Sequence, residues 1–220
     1  GVHPDDHKRP AADAPLRLLP EPGRVYLPLS QHVGGAARPV VLVGQQVLKG
    51  QVLAEASGNI SAPIHSPVSG TVIGVGDVTA PHASGLSFAA ITVASDGAGR
   101  WIESDIAADP FALAPEEIAR RTAAAGVVGL GGATFPSAVK FSLGKRLAVG
   151  TLIVNGGECE PYLSSDDRVM RDYADQVVDG ARIIMHAIGA TEALVGIEDN
   201  KPEAIAAMRK GEPVILRQSG

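Results

Sequence analysis

The pattern of this chain changes near residue 95, and that change limits what it can fold into. From Val25 to Val93, short β-prone runs are broken by Gly, Pro, Ser and Asn, with no helical stretch between them. Val25–Leu29, Val40–Val43, Gln51–Ala54, Gly70–Val75 and Ala89–Val93 read as strands of a small all-β unit. Past residue 114, strand patterns alternate with helical ones. Pro115–Ala125 has helical spacing, and Glu116 and Glu117 complement the dipole in its first turn. Thr151–Asn155 reads as a buried strand, and Asp167 to about Ile188 as one long helix that Gly189 can end. Strand Ala193–Ile197, helix Pro202–Lys210 and strand Pro213–Leu216 follow. Such alternation implies a parallel sheet. The expectation is an α+β two-domain chain: an arm at 1–24, an all-β domain at 25–95, a linker at 96–114 and an α/β domain at 115–220.

Charge and composition remove several function classes. A net charge of −5 without a basic run argues against a nucleic-acid surface, and 4% aromatics leave little for base stacking. The single cysteine, Cys159, excludes a disulfide framework and any cysteine-ligated cluster built by these residues alone. No apolar run reaches the length of a membrane span. The first eight residues are too polar for a signal peptide and lack an initiator Met, so the chain reads as part of a longer protein, with a cytoplasmic compartment expected. His3 and His7 read as ordinary residues of a polar arm.

Chemistry concentrates in three segments. Gly129-Leu130-Gly131-Gly132 lets backbone N–H groups approach a ligand, Pro136 suits a helix start, and Lys140 follows one turn later. A glycine loop feeding a helix, with a cation behind it, is a place for a phosphate. Asn155-Gly156-Gly157-Glu158-Cys159-Glu160-Pro161 follows a hydrophobic strand, where open α/β sheets bind ligands; Asn155, Glu158 and Glu160 offer an amide and two carboxylates. In Glu198-Asp199-Asn200-Lys201-Pro202-Glu203, capping accounts for Asn200 and Glu203 but leaves Glu198 and Asp199 as candidates. Cys159 sits between two glutamates whose charge would make its thiolate scarcer, so it reads as incidental. Asp166 and Asp167 suit a helix N-terminus, and His186 reads as packing.

Two resemblances add to this. Val43–Glu55 with Ile60–Val72 resembles the barrel-sandwich hybrid fold of biotinyl and lipoyl carriers. Those carriers present a lysine at a hairpin tip; here the tip is Ser57-Gly58-Asn59-Ile60, and Lys49 lies earlier, in a turn where it reads as solvated, so carrier activity is not expected. Gly129–Lys140 together with Asn155–Pro161 resembles the flavin and NADH site of the complex I flavoprotein subunit. More closely, the chain is similar to the RnfC family of the Rnf electron-transport complex, through His3-Pro4, Pro28–His32, His82–Ser87 and Glu198–Ala204 as well.

The resemblance implies a Rossmann-like α/β domain binding FMN and NAD(H), in a peripheral protein on the cytoplasmic side of the inner membrane. It implies a role in ferredoxin:NAD oxidoreduction coupled to ion translocation, with the other members of the Rnf-type membrane complex as partners. Gly129, Gly131, Gly132 and Lys140 match positions that hold FMN and nucleotide phosphates. Phe135 falls near the nicotinamide, Asn155 and Glu158 on flavin-ring positions, and Glu160 near the dinucleotide. Leu130, Thr134 and Gly157 stand where complex I usually has Arg, Gly and Asp. Family members continue into further flavin-site residues and a cysteine-rich module for two [4Fe–4S] clusters, neither of which these 220 residues contain. The competing expectation is a non-catalytic scaffold, like the component of the sodium-pumping NADH:quinone reductase that shares these folds.

Overall fold

The computed structural model describes residues 5–80, 83–144, 147–210 and 215–219. His3, Pro4 and His82 of the resemblance, and Pro213-Val214 of the last expected strand, lie outside the described residues. The chain divides into two compact units: Leu19–Asp109 with Glu116–Ser142, and Gly1–Leu18 with Pro110–Pro115 and Leu143–Gly220. The expected arm is divided: residues up to Leu18, with a single helical turn α1 (Arg9–Ala12), belong to the second unit, and Leu19 onward to the first.

The first unit is built on β1 (Arg24–Pro28), β2 (Arg38–Pro39), β3 (Gln46–Val47), β4 (Val52–Glu55), β5 (Ile64–His65), β6 (Gly70–Thr79) and β7 (Ser87–Ser95). They form a four-stranded sheet, β1-β7-β6-β3, and a three-stranded sheet, β2-β4-β5, with every pairing antiparallel. Leu53, Val72, Ile91 and Val93 are fully buried in one core shared with Leu27, Val47 and Val68. Their apolar transfer out of water holds the sheets together.

The expected strand Val40–Val43 does not form. Pairing with β4 stops after one last bond, from Val40 N–H to Leu53 O at 2.9 Å, and the chain turns: Leu42 N–H donates to Gln45 Oε1 at 3.1 Å and Gly44 takes φ +90°. The glycine turn overrides the β-branched run and leaves Leu42 77% exposed. Strands β3 and β5, of two residues each, are too short for periodicity to reveal. The supposed linker is anchored as well. Lys49 N–H donates to Arg100 O at 2.9 Å and Ile102 N–H to Lys49 O at 3.0 Å. Lys49 is not simply solvated, because its Nζ lies 4.9 Å from the Trp101 ring centroid, within cation–π range.

The hairpin tip that would carry a lipoyl lysine is exposed but tied through its backbone to residues 32–35. Gly35 N–H donates to Ile60 O at 2.9 Å, and Ala62 N–H donates to Nε2 of buried His32 at 3.1 Å. That bond leaves Nδ1 to carry the imidazole proton, 3.2 Å from Val33 O. Helices α2 (Pro115–Ala124) and α3 (Ser137–Gly144) follow. His65 Nε2 lies 3.0 Å from Ala124 O, and a Cβ on Gly126 would meet Pro63 O at 2.9 Å, so the segment leading into the glycine loop seats directly on β5.

In the second unit, β8 (Thr151–Gly156), β9 (Glu192–Glu198) and β10 (Ile215–Ser219) form a parallel sheet in the order β10-β9-β8. The expected single helix is two, α4 (Ser165–Asp172) and α5 (Ala174–Ile188), broken at Tyr173 (φ −131°, ψ 33°). The apolar period runs through the break, so spacing cannot show it. Gly189 ends α5 in the left-handed conformation, as its position implied. Helix α6 (Pro202–Met208) joins β9 to β10. Met170, Val178, Ala204 and Met208 from these helices pack with Val195 and Ile197 of β9. His186 is structural: its Nε2 lies 3.0 Å from Leu113 O.

Gly34 has φ +99°, and a Cβ there would stand 2.1 Å from Ile60 O. Gly34→Ala is expected to cost the β unit about 2 kcal/mol or more, since the left-handed backbone alone costs roughly 1–2. Urea unfolding followed by Trp101 fluorescence measures it, and an unchanged midpoint would refute the close approach of Gly34 to the tip.

Candidate functional site

Two loops carry the candidate residues, one in each unit. In the β unit, the glycine loop is closed by an antiparallel bridge between Val128 and Pro136. Gly129 N–H donates to Phe135 O, and Ser137 N–H to Val127 O, both at 2.9 Å. Helix α3 starts at Ser137, one residue after the expected position, so Pro136 precedes the first turn. Gly129, Gly131, Gly132, Phe135 and Lys140 come together here. Lys140 Nζ lies 5.9 Å from the Phe135 ring centroid and would be 4.0 Å from a Cβ on Gly129.

The glycines are present for different reasons. Gly132 needs φ +115°, which side chains disfavour. Gly131 has no such angle, and a Cβ built on it meets nothing within 4 Å. The fold therefore gives Gly131 no internal reason to be glycine. Thr134 adopts φ +46°, a costly conformation for a β-branched residue, at the position where complex I usually has glycine. Leu130 is 85% exposed.

In the α/β unit, strands β8 and β9 end side by side, with Gly156 opposite Ile197. Gly156 is a packing glycine, because its Cβ would stand 2.9 Å from Met170 Sδ and from Gly196 O. Asn155 Oδ1 accepts Gly157 N–H at 3.0 Å, turning the chain out of the strand. Glu160 and Asp199 are exposed, and so is Cys159.

Glu158 and Glu198 are joined by a residue that sequence reasoning passed over. Lys201 is 4% exposed; its Nζ lies 3.3 Å from Glu158 Oε2 and 2.9 Å from Glu198 Oε2. Glu158, also 4% exposed, accepts Asp166 N–H at 2.9 Å and the Ser165 hydroxyl at 3.1 Å on its other oxygen. A distant carboxylate thus caps α4, whereas Ser164 makes no side-chain cap. The capping expected of Asn200 is not made either: Lys201 occupies the N-cap of α6 without a side-chain cap bond. The one signal for Lys201 was its position as a lone cation among Glu198, Asp199 and Glu203.

Burial would raise the Glu158 carboxyl, but the Asp166 N–H, the Ser165 hydroxyl and the Lys201 charge outweigh it and hold Glu158 below the usual glutamate value. Burial pulls Lys201 down, yet Glu198 and Glu158 hold it above its ordinary value. Burial and the neighbouring Glu158 charge push Asp166 up. The cluster is a lock on the strand ends. Both Glu158 oxygens accept bonds within the cluster, and the side chain is buried.

Residues 1–98 match the family described as RnfC barrel sandwich hybrid domain, and residues 122–212 match the Nuo51 FMN-binding domain. The RnfC-type member of the ion-translocating oxidoreductase complex of Rhodobacter capsulatus is 49% identical over 96% of this chain and 40% of its own length. The chain belongs to the RnfC family. The corresponding protein of Pseudomonas aeruginosa is 48% identical over 92% of the chain, and that of Serratia proteamaculans 43% over 98%. The chain spans 26–40% of the length of these RnfC relatives. A solved NAD+-reducing [NiFe]-hydrogenase is 29% identical over 50% of this chain and 21% of its own, with a TM-score of 0.43, a likeness too shallow to carry an argument. Among the described residues, no helix of this RnfC-family chain is long and apolar enough to cross a membrane.

The lock fixes a pH profile. Glu158, held low, contributes stability present above its ordinary value of 4.5 and lost as pH falls through its folded value. Lys201, held high, contributes stability present below 10.5 and lost as pH rises through its folded value. Asp166, held high, has the opposite sign to Glu158 and opposes folding at neutral pH. Lys201→Met leaves two carboxylates without their cation and is expected to cost about 3–5 kcal/mol at pH 7. Its loss of stability below pH 4.5 should also be shallower than in the wild type. Urea titrations from acid to neutral pH check both, and parallel acid limbs would refute the lock.

Proposed function

We propose that this chain is the FMN- and NAD(H)-binding part of an RnfC-type protein in an ion-translocating oxidoreductase complex. The observation that carries this reading is Gly131, open to solvent in a loop that leads into α3 and Lys140. The family match over residues 122–212, whose description names an FMN-binding domain, supports it.

The residues fit the phosphate end of such a ligand. Gly129, Gly131 and Gly132 would admit it to the backbone, with Lys140 supplying the opposing charge. Phe135 would offer a ring face near the nicotinamide. Asn155, Glu160 and Asp199 would supply exposed polar groups, while Glu158 and Glu198 would act through Lys201 by fixing the loop that follows Asn155 and carries Glu160. When bound, FMN would supply hydride exchange with NAD(H), chemistry that belongs to the cofactor. The strand–helix alternation of β8 to β10 supports reading the second unit as Rossmann-like.

The longer protein would pass electrons to two [4Fe–4S] clusters ligated outside these residues, which hold a single cysteine. It would work with the other members of the complex on the cytoplasmic side of the membrane, in the ferredoxin:NAD oxidoreductase class.

Gly131 makes the reading separable from folding. In the full-length protein, Gly131→Ala is expected to unfold no earlier than wild type and to gain about 0.4–1 kcal/mol from reduced unfolded-state entropy. It should nonetheless weaken FMN binding, read by quenching of flavin fluorescence. Lys140→Ala should weaken it about tenfold, the loss of one charge-assisted contact. Absence of FMN binding by the wild type would leave the scaffold reading in its place.

A further inference from the structure

Residues 6–12 of the N-terminal arm pack on the loop that follows Asn155 and carries Glu160, and on the helix after it. Chain leaving β8 at Gly156 re-enters helix at Ser165, and the residues between lie at the ends of the parallel strands. Such a loop has few backbone bonds of its own, so something else must hold its carbonyls. Lys201 holds the Glu158 side chain from within. The Glu158 backbone is held from outside, by the arm.

Lys8 Nζ donates to Glu158 O and, at 3.0 Å, to Leu163 O. An ammonium has three donors, and two of these bind carbonyls at the start and the end of one loop. Tyr162 N–H donates to Asp6 O at 2.9 Å. The His7 and Tyr162 rings stack with centroids 5.0 Å apart and planes 14° from parallel. Farther along the arm, Arg171 of α4 donates to Ala12 O at 2.9 Å. His7 and Tyr162 are also two of the three non-glycine residues with positive φ among the described residues, at 49° and 70°. Tertiary contacts must hold both in that conformation.

We infer that the N-terminal arm is part of the binding site, with Lys8 as a positioning residue that fixes the Glu158–Leu163 loop. This deepens the proposed function and rests on its reading of Asn155 and Glu160 as ligand-facing groups. Lys8 touches no ligand. It acts by keeping the loop in one conformation, so that binding does not bear the cost of ordering it.

The test uses the full-length protein with Lys8→Met, which keeps the stem and removes the donors, and Lys8→Arg, which restores a cation. Hydrogen exchange of the Tyr162 and Asp166 amides reads the loop directly, without ligand. FMN titration well below the unfolding temperature reads its consequence. Lys8→Met is expected to speed both amides and to raise the FMN dissociation constant about tenfold, the usual scale for a partner one shell removed. The unfolding midpoint should stay unchanged, with partial recovery in Lys8→Arg. A merely stabilising contact would lower the midpoint and leave affinity alone, which overturns the inference. Unchanged exchange overturns it too, since Lys201 would then hold the loop unaided. Faster exchange with wild-type FMN affinity overturns it by separating the loop from the ligand. If the wild type binds no FMN, the functional reading fails, and exchange still decides whether Lys8 fixes the loop.

Discussion

A lysine buried between two glutamates governs the α/β unit. Lys201 stands at the start of α6, Glu198 at the end of β9, and Glu158 in the loop after β8, so one cation joins three chain segments at the edge where parallel strands end. Glu158 extends the connection to a fourth by capping α4. Removing Lys201 would leave two carboxylates without their cation, one of them buried, which makes the lysine the member on which the cluster depends. Hydrophobic packing of Met170, Val195 and Met208 builds the layer beneath it, but packing alone would not fix where the polar loops emerge.

The β unit solves a different problem. Its sheets resemble a carrier scaffold, yet the tip that a carrier must expose is tied down by Gly34, Gly35 and His32. The same scaffold is instead used at β5 as a seat for the segment leading to the glycine loop, through His65 and Gly126. A fold suited to presenting a mobile arm has become a rigid mount.

Much of this was legible from residues alone, because period and punctuation are local. The switch from broken β runs to strand–helix alternation located the all-β unit and the parallel sheet, and Gly189 ended α5 where its position implied. What escaped was set by tertiary contact. Nothing in the period of residues 167–188 distinguishes one helix from two joined at Tyr173. Val40–Val43 looked like a strand until the turn at Gly44 was weighed against it. Lys8 was invisible because its partner Glu158 lies 150 residues away, and the part of the Lys201 cluster that escaped was the same glutamate, 43 residues away. Glu158 reads as a group for a ligand because a carboxylate beside glycines looks available; only its neighbours reveal its structural bonds to α4 and Lys201.

Gly131 carries a warning for anyone trying to harden this protein. By every criterion used to choose stabilising substitutions it is an attractive target: an unstrained glycine, with empty space where a methyl would go. A screen scored on melting temperature would reward filling it, and successive rounds would fix the change. If a ligand occupies that space, each such gain erases function unseen, and the protein drifts toward a sturdy shell with nothing to hold.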